Sequence, residues 1–328
     1  FKAAEQLEIR KIIQISALGA TSQASSHYHQ SKYAADQYLK SLNVDAMILY
    51  PSIVLGQGGG STQLFSALAA LPIVPLIEKG NQLLQPIDIN DFSNCILKLL
   101  ENWQTGCVEL VGSQRILLKD LLKEFRNWLG FSTTFFLSIP LVLIRPFIHL
   151  AKLFNIPLNQ ETLNMLLQGN YGDQNRLQNI LGKTPHNIST ALQLMPITTA
   201  QRWQARLFFL RPLLRLSIAF IWIFTGLVSG WLYPLEESYK LLAATGVSGM
   251  IAPFALYGAT SLDLGLGIAT LFAYHLRWVV VLQIILMLSY TIIISFSLPE
   301  LWLHPFGAIS KNIPLLVATL ILLVLEEK

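Results

Sequence analysis

Ser26-His27-Tyr28-His29-Gln30-Ser31-Lys32 places a phenol and an ammonium four residues apart. On a helix that spacing puts both side chains on one face, with the ammonium beside the phenol. A free tyrosine has a pKa of about 10, and a fixed positive charge nearby favours the phenolate, so the pair suits general acid/base work at a carbonyl. Twelve positions before Tyr28 stands Ser16, which closes the apolar run Lys11-Ile12-Ile13-Gln14-Ile15 and precedes a turn-rich segment from Gly19 to Ser26. The run predicts a buried strand, and Ser16 then stands at its carboxyl end, where open α/β sheets place their ligand crevice.

Tyr-x-x-x-Lys alone recurs by chance on helix surfaces, and its meaning comes from the order of what surrounds it. A second predicted strand follows in Asp45-Ala46-Met47-Ile48-Leu49-Tyr50, continued by Pro51-Ser52-Ile53-Val54-Leu55-Gly56. Serine, Tyr-x-x-x-Lys and this strand together resemble the short-chain dehydrogenase/reductase superfamily. The resemblance is to its extended and atypical members, the NAD-dependent epimerase/dehydratase-like proteins that include the nucleotide-binding subunit of respiratory complex I. It implies an α/β, Rossmann-type NAD(P)-binding domain and either NAD or NADP as cofactor. It also implies Tyr28 as acid/base, Lys32 on the nicotinamide ribose, Ser16 orienting a carbonyl or hydroxyl, and Tyr50, Pro51, Ser52 and Ile53 along the cofactor. Ser22, Ser25 and Ser26 are alternatives to Ser16, and Tyr50 stands where the family often has arginine. Proteins of this kind open with a strand, a glycine-rich turn and a helix that receives the pyrophosphate. This chain has no such opening, and residues 1–8 read as the helix before a late strand, so a fragment lacking roughly the first hundred residues of the domain is expected. Gly56, Gly58, Gly59 and Gly60 have the wrong spacing for the missing fingerprint and read as a loop.

Composition supplies a second clue: 53% of residues are hydrophobic and 13% charged, against about 25% charged in an ordinary soluble domain. The apolar excess lies late in the chain, where transmembrane helices are expected near 213–233, 251–274 and 278–298, with a shorter fourth near 308–325 interrupted by Lys311 and Pro314. Arg202, Arg206, Arg211 and Arg215 crowd the entrance to the first span, and Arg277 separates the second from the third, whereas Glu236, Glu237 and Glu300 mark the other side. The positive-inside bias places the basic side, and the reductase-like domain with it, in the cytoplasm of a multi-pass protein of the inner cell membrane. Gly226-Leu227-Val228-Ser229, Tyr233-Pro234-Leu235-Glu236-Glu237-Ser238, Asp263 and the stretch from Pro299 to Gly307 resemble the DoxX-like membrane domain found behind some bacterial reductase-like domains. Asp263 stands alone as an acid within a predicted span, and such a group faces a bundle interior or water. Ala259, Thr260, Gly267 and Thr270 share its face, which fits either a functional site or an interhelical hydrogen-bonded clasp.

Between these regions, residues 84–91 read as a strand and an acidic N-cap, with Asp88 and Asp91 as structural caps. Residues 92–101 and 119–129 read as helices, and residues 107–111 as a strand. The broken apolar stretch 137–154, with Arg145, His149 and Lys152, reads as an interfacial helix or one buried in a substrate lobe. Residues 155–195 read as short helices and 199–210 as an amphipathic connector. Domains are therefore expected at 1–200, 201–211 as linker, and 212–328. The net charge of +4 comes from dispersed or juxtamembrane residues with no recognition motif, which argues against nucleic acid as a partner and for lipid and a small-molecule substrate. Cys95 and Cys107 lack metal-type spacing, and no metal site is expected. The leading reading is a membrane-anchored NAD(P)-dependent oxidoreductase or epimerase-like protein. Its rivals are a nucleotide-binding scaffold without turnover and an enzyme whose chemistry sits at Asp263.

Overall fold

Met47, Ile48 and Leu49 form an unbroken run without solvent contact, the pattern of a strand covered on both faces. That strand is central in a computed structural model describing residues 1–151 and 160–326. The chain divides into two compact units, Phe1–Phe208 and Phe209–Lys328.

The first unit begins with helix α1 (Lys2–Gln6), strand β1 (Lys11–Ile15), helix α2 (His27–Lys40), the central strand β2 (Asp45–Pro51) and the short β3 (Val54–Leu55). It continues through α3 (Gly60–Ala70), β4 (Ile73–Ile77), β5 (Leu83–Leu84), β6 (Ile87–Asp88) and α4 (Ile89–Glu101). Then come β7 (Gly106–Leu110), β8 (Ile116–Leu117), α5 (Leu118–Trp128), β9 (Phe135–Ile139), α6 (Leu141–Ala151), α7 (Gln160–Gln168), α8 (Asn175–Leu181) and α9 (Ile188–Gln193). Strands β1, β2 and β7 pair in that order, all parallel, with Ile13 opposite Met47 and Leu49 opposite Val108. Parallel neighbours need crossovers, and the helices that supply them bury Leu39, Cys95 and Leu99. This is the α/β, Rossmann-type arrangement expected from the sequence. A second core, centred on Phe65, Leu121, Leu122 and Phe125, fills the space between α3, α5 and α9.

One expectation is corrected. Leu137 does not lie on an interfacial helix: Phe135–Ile139 is strand β9, paired in parallel with β4 so that Leu137 faces Pro75. The helix begins only after Pro140, and residues 152–154 of the expected stretch lie outside the described residues. Pro75 fits a strand because a two-stranded sheet leaves an edge on which its missing N–H goes unneeded.

The second unit is all helical: α10 (Thr199–Leu227, entered from the first unit and ending in a π-turn over Val228–Leu232), α11 (Leu235–Ala244), α12 (Ile251–Leu271), α13 (Leu276–Ser297) and α14 (Asn312–Leu325). The residues expected as a linker, 201–211, are part of the continuous α10. Among the described residues three helices are long and apolar enough to cross a membrane: Thr199–Leu232, Ile251–Leu271 and Leu276–Ser297. Helix α14 is apolar and has 14 residues, about 21 Å at 1.5 Å per residue, against a hydrocarbon layer of about 30 Å. Glycines bring α10 and α12 together. A β-carbon on Gly267 would stand 2.6 Å from the Ile223 side chain, one on Gly226 2.8 Å from Leu264, and one on Gly230 2.7 Å from Thr260. At one end of the bundle Arg211 donates to Glu326 at 2.5 Å, and Arg215 lies 3.8 Å from the same carboxylate, so the first and last helices meet there.

Candidate active site

Helix α2 starts where Ser26 caps it, its Oγ accepting from the His29 N–H at 3.1 Å. The cap sets the phase of the helix, so Tyr28 falls in the first turn and Lys32 one turn later. The Lys32 ammonium lies 5.9 Å from the Tyr28 ring centroid and donates to the Ile15 carbonyl at 3.0 Å. That carbonyl ends β1, so the ammonium is anchored at the carboxyl edge of the parallel sheet. Tyr28 is 47% exposed, its ring presented to whatever approaches this edge.

Ser16 has a different setting. It is 2% exposed, and its Oγ donates to Asp36 at 2.6 Å. Asp36 has no solvent contact and follows Tyr28 and Lys32 on the same helical stripe. Of the alternative serines, Ser26 is the helix cap, while Ser22 and Ser25 are exposed on the loop before it.

Tyr50, half-buried at the end of β2, shares Asp36 with Ser16. Burial pushes its phenol pKa well above the ordinary value, and the charge and hydrogen bond of Asp36 push it further. Pro51 accepts from the Leu18 N–H at 3.0 Å, and the Ser52 N–H donates to Leu110 at 2.9 Å. The Ser52 hydroxyl donates to the Gln85 carbonyl at 2.7 Å, and the Ile53 N–H donates to Asn170 Oδ1 at 3.0 Å. The polar groups of residues 51–53 are thus turned into the protein, where they fix Gln85 and Asn170. Gln85 in turn lines a cavity of about 420 Å³ with Ser113, Arg115, Gly172, Asp173, Gln174 and Asn175. Arg115 is held by stacking on Tyr171, with its guanidinium 4.5 Å from the ring centroid.

Of the glycines after β3, Gly56 has a packing reason. A β-carbon on Gly56 would stand 2.8 Å from Ile89, so the loop needs glycine to pass α4.

A cluster that sequence reasoning missed lies at the start of α4. Asp88 caps the helix, accepting from the Asn90 N–H at 3.2 Å. His186 Nδ1 lies 2.9 Å from Asp91 and 3.3 Å from Asp88, and the His186 N–H donates to Asp91 at 2.6 Å. These three side chains are the group among the described residues with metal-ligand proximity. Lys183, 3.8 Å from Asp91, already brings a cation to it, and the cluster reads as a clamp between a late loop and α4.

No curated protein matches this chain. The model of the DoxX-like family matches residues 219–320, so the bundle carries a DoxX-like domain and the chain is a membrane protein. Among solved structures, the chain is similar to a nucleoside-diphosphate-sugar epimerase from Staphylococcus aureus at 14% identity and TM-score 0.48, over 58% of this chain and 67% of that one. It is similar to a UDP-glucuronic acid 4-epimerase from Bacillus cereus, solved with UDP-glucuronic acid and NAD, at 17% identity and TM-score 0.42, over 62% and 64%. It is also similar to an NADPH-dependent quinone oxidoreductase from Escherichia coli at 16% identity and TM-score 0.46, over 59% and 70%. The chain spans about two thirds of the length of these proteins.

Proposed function

We propose that this chain belongs to a membrane-anchored, NAD(P)-dependent oxidoreductase or epimerase-like protein acting on a carbonyl or hydroxyl substrate, with its α/β unit on the cytoplasmic side. The observation that carries the reading is the pairing of an exposed Tyr28 with a Lys32 anchored to Ile15 at the carboxyl edge of a parallel sheet. Those two residues fit a nicotinamide nucleotide: the ammonium is free to donate further hydrogen bonds to a ribose, and the phenol stands open beside it. Bound NAD or NADP would supply the hydride. Tyr28 would give or take the hydroxyl proton, and Lys32 would orient the ribose. Asp36, by holding Ser16 and Tyr50, fixes the strand ends beneath them. The 420 Å³ cavity beside Gln85 and Arg115 is the proposed substrate lobe. Arg211, Arg215 and Arg277 at one end of the bundle support the orientation by the positive-inside bias.

The Tyr28→Phe variant of the membrane-inserted protein should bind NAD(P)H like wild type and lose about 10²–10⁴ in turnover, the range for a general acid/base. Undiminished turnover would remove the assignment. A second reading, a nucleotide-binding scaffold without turnover, is favoured by one observation: the Ser16 hydroxyl is committed to Asp36 rather than turned to a substrate. Cofactor binding by wild type without hydride transfer to carbonyl, sugar-nucleotide or lipid substrates would select it.

A further inference from the structure

In the helical bundle, the hydroxyls of Ser217, Thr270, Ser289, Thr291, Ser295 and Thr319 each donate to the carbonyl four residues earlier on their own helix. That is the usual way for a hydroxyl on a lipid-embedded helix to be satisfied. Thr260 breaks the pattern. It is 2% exposed, yet its Oγ1 has no hydrogen-bond partner. One turn later Asp263 is 6% exposed, and its Oδ1 has none either. Both lie on the face of α12 that carries Gly267 and Thr270.

Facing them, α13 runs antiparallel. Gln283 Nε2 donates to Thr270 Oγ1 at 2.8 Å, while Gln283 Oε1 is a further buried atom without a partner. Seven residues beyond Gln283 on α13, and seven before Thr270 on α12, the same register sets Tyr290 opposite Asp263. From α10, Trp222 packs beside Gly267, and its indole Nε1 is a fourth buried polar atom with no partner. The string from Thr260 to Thr270 extends about 15 Å along the helix, roughly half the hydrocarbon thickness.

Among the described residues no cation is paired with the Asp263 carboxylate. Helix α12 carries no other charge, and its Tyr257 is exposed. The basic residue of α13, Arg277, is about 20 Å away along the helices, with His275 at the same end. Arg211 and Arg215 of α10 are engaged by Glu326, also at that end. On α11, Glu236 is exposed, Lys240 is paired with Glu237 at 2.7 Å, and Tyr239 adds no charge. A carboxyl so placed is accommodated by a proton, which removes its charge and turns one oxygen into a donor. Small polar molecules such as water are what unpartnered buried groups recruit, and the seam offers both donors and acceptors to them.

We propose that Asp263 is a proton-binding site inside the membrane, exchanging its proton with water along the polar seam formed by Thr260, Tyr290, Trp222 and the Thr270–Gln283 pair. The inference is independent of the redox reading of the α/β unit. The test is an infrared pH titration of the full chain in liposomes, repeated after transfer to D₂O. Wild type should show a protonated-carboxyl C=O band that grows as pH falls, shifts in D₂O and is missing from Asp263→Asn. Gln283→Leu should keep the band and slow its D₂O shift several-fold. If Asp263→Asn fails to fold, Asp263→Glu should move the band frequency and its titration midpoint. Absence of a titrating band in folded wild type, its persistence in Asp263→Asn, or its indifference to Asp263→Glu would overturn the site. An exchange rate unchanged by Gln283→Leu would overturn the seam as its route.

Discussion

Removing the Asp36 carboxylate would strand the Ser16 hydroxyl it accepts from and the Tyr50 phenol it faces. Asp36→Ala should therefore destabilise the α/β unit by about 1–3 kcal/mol, read as a lower urea midpoint of the detergent-solubilised chain. Burial first, and Asp36 second, raise the Tyr50 pKa above its ordinary 10.0. The sign follows: a phenol whose folded pKa is raised stabilises fully below pH 10 and ceases to do so as pH climbs through the folded value. Tyr50→Phe should thus show a shallower loss of stability above pH 10 than wild type. Burial likewise pushes the Cys95 thiol up to about 11, while Cys107 is exposed. Maleimide at neutral pH should add one label to the native chain and two after denaturation, counted by intact mass. The Tyr28/Lys32 pair was legible because helical spacing is local. Asp36 was equally legible, on the same stripe one turn on. His186 carried no such signal, because its partner Asp91 lies 95 residues earlier, with Asp88 before it, and only the tertiary fold joins them.

At the scale of elements, Arg126 shows how a helix end is finished by a distant side chain. Its guanidinium, buried on α5, donates to the carbonyls of Ala69 and Leu71 at the end of α3, at 2.5 and 3.0 Å, and to Ser132 at 2.5 Å. Burial lowers its pKa, but the three carbonyls keep the charge well placed. Arg126→Lys should behave nearly as badly as Arg126→Ala, since a single ammonium cannot reproduce the planar fork. A loss of about 2–4 kcal/mol for either is expected from the stranded carbonyls, measured by the same urea midpoint. Long parallel strands and amphipathic helices were legible from periodicity. The β4–β9 pair was not: Pro75 argues against a strand, and Phe135–Ile139 runs straight into further apolar residues, so composition alone cannot separate strand from helix there.

At the scale of the whole molecule, the second unit was legible because three long uncharged runs have few alternatives in water. Its interior was legible only in part, since Asp263 could be seen in the sequence but the partners of its face could not. The proposed orientation makes a specific statement about Cys107, which is exposed on β7. A membrane-impermeant maleimide should leave it unlabelled in intact cells and label it after permeabilisation. Labelling in intact cells would reverse the topology. The bond from Arg211 and Arg215 to Glu326 has a mechanical corollary. Because it fastens the final helix back to the one that opens the bundle, a force applied to the tail meets a clasp before it meets α13. Single-molecule extraction from the carboxyl side should register that clasp as a separate early rupture, which Glu326→Gln would erase.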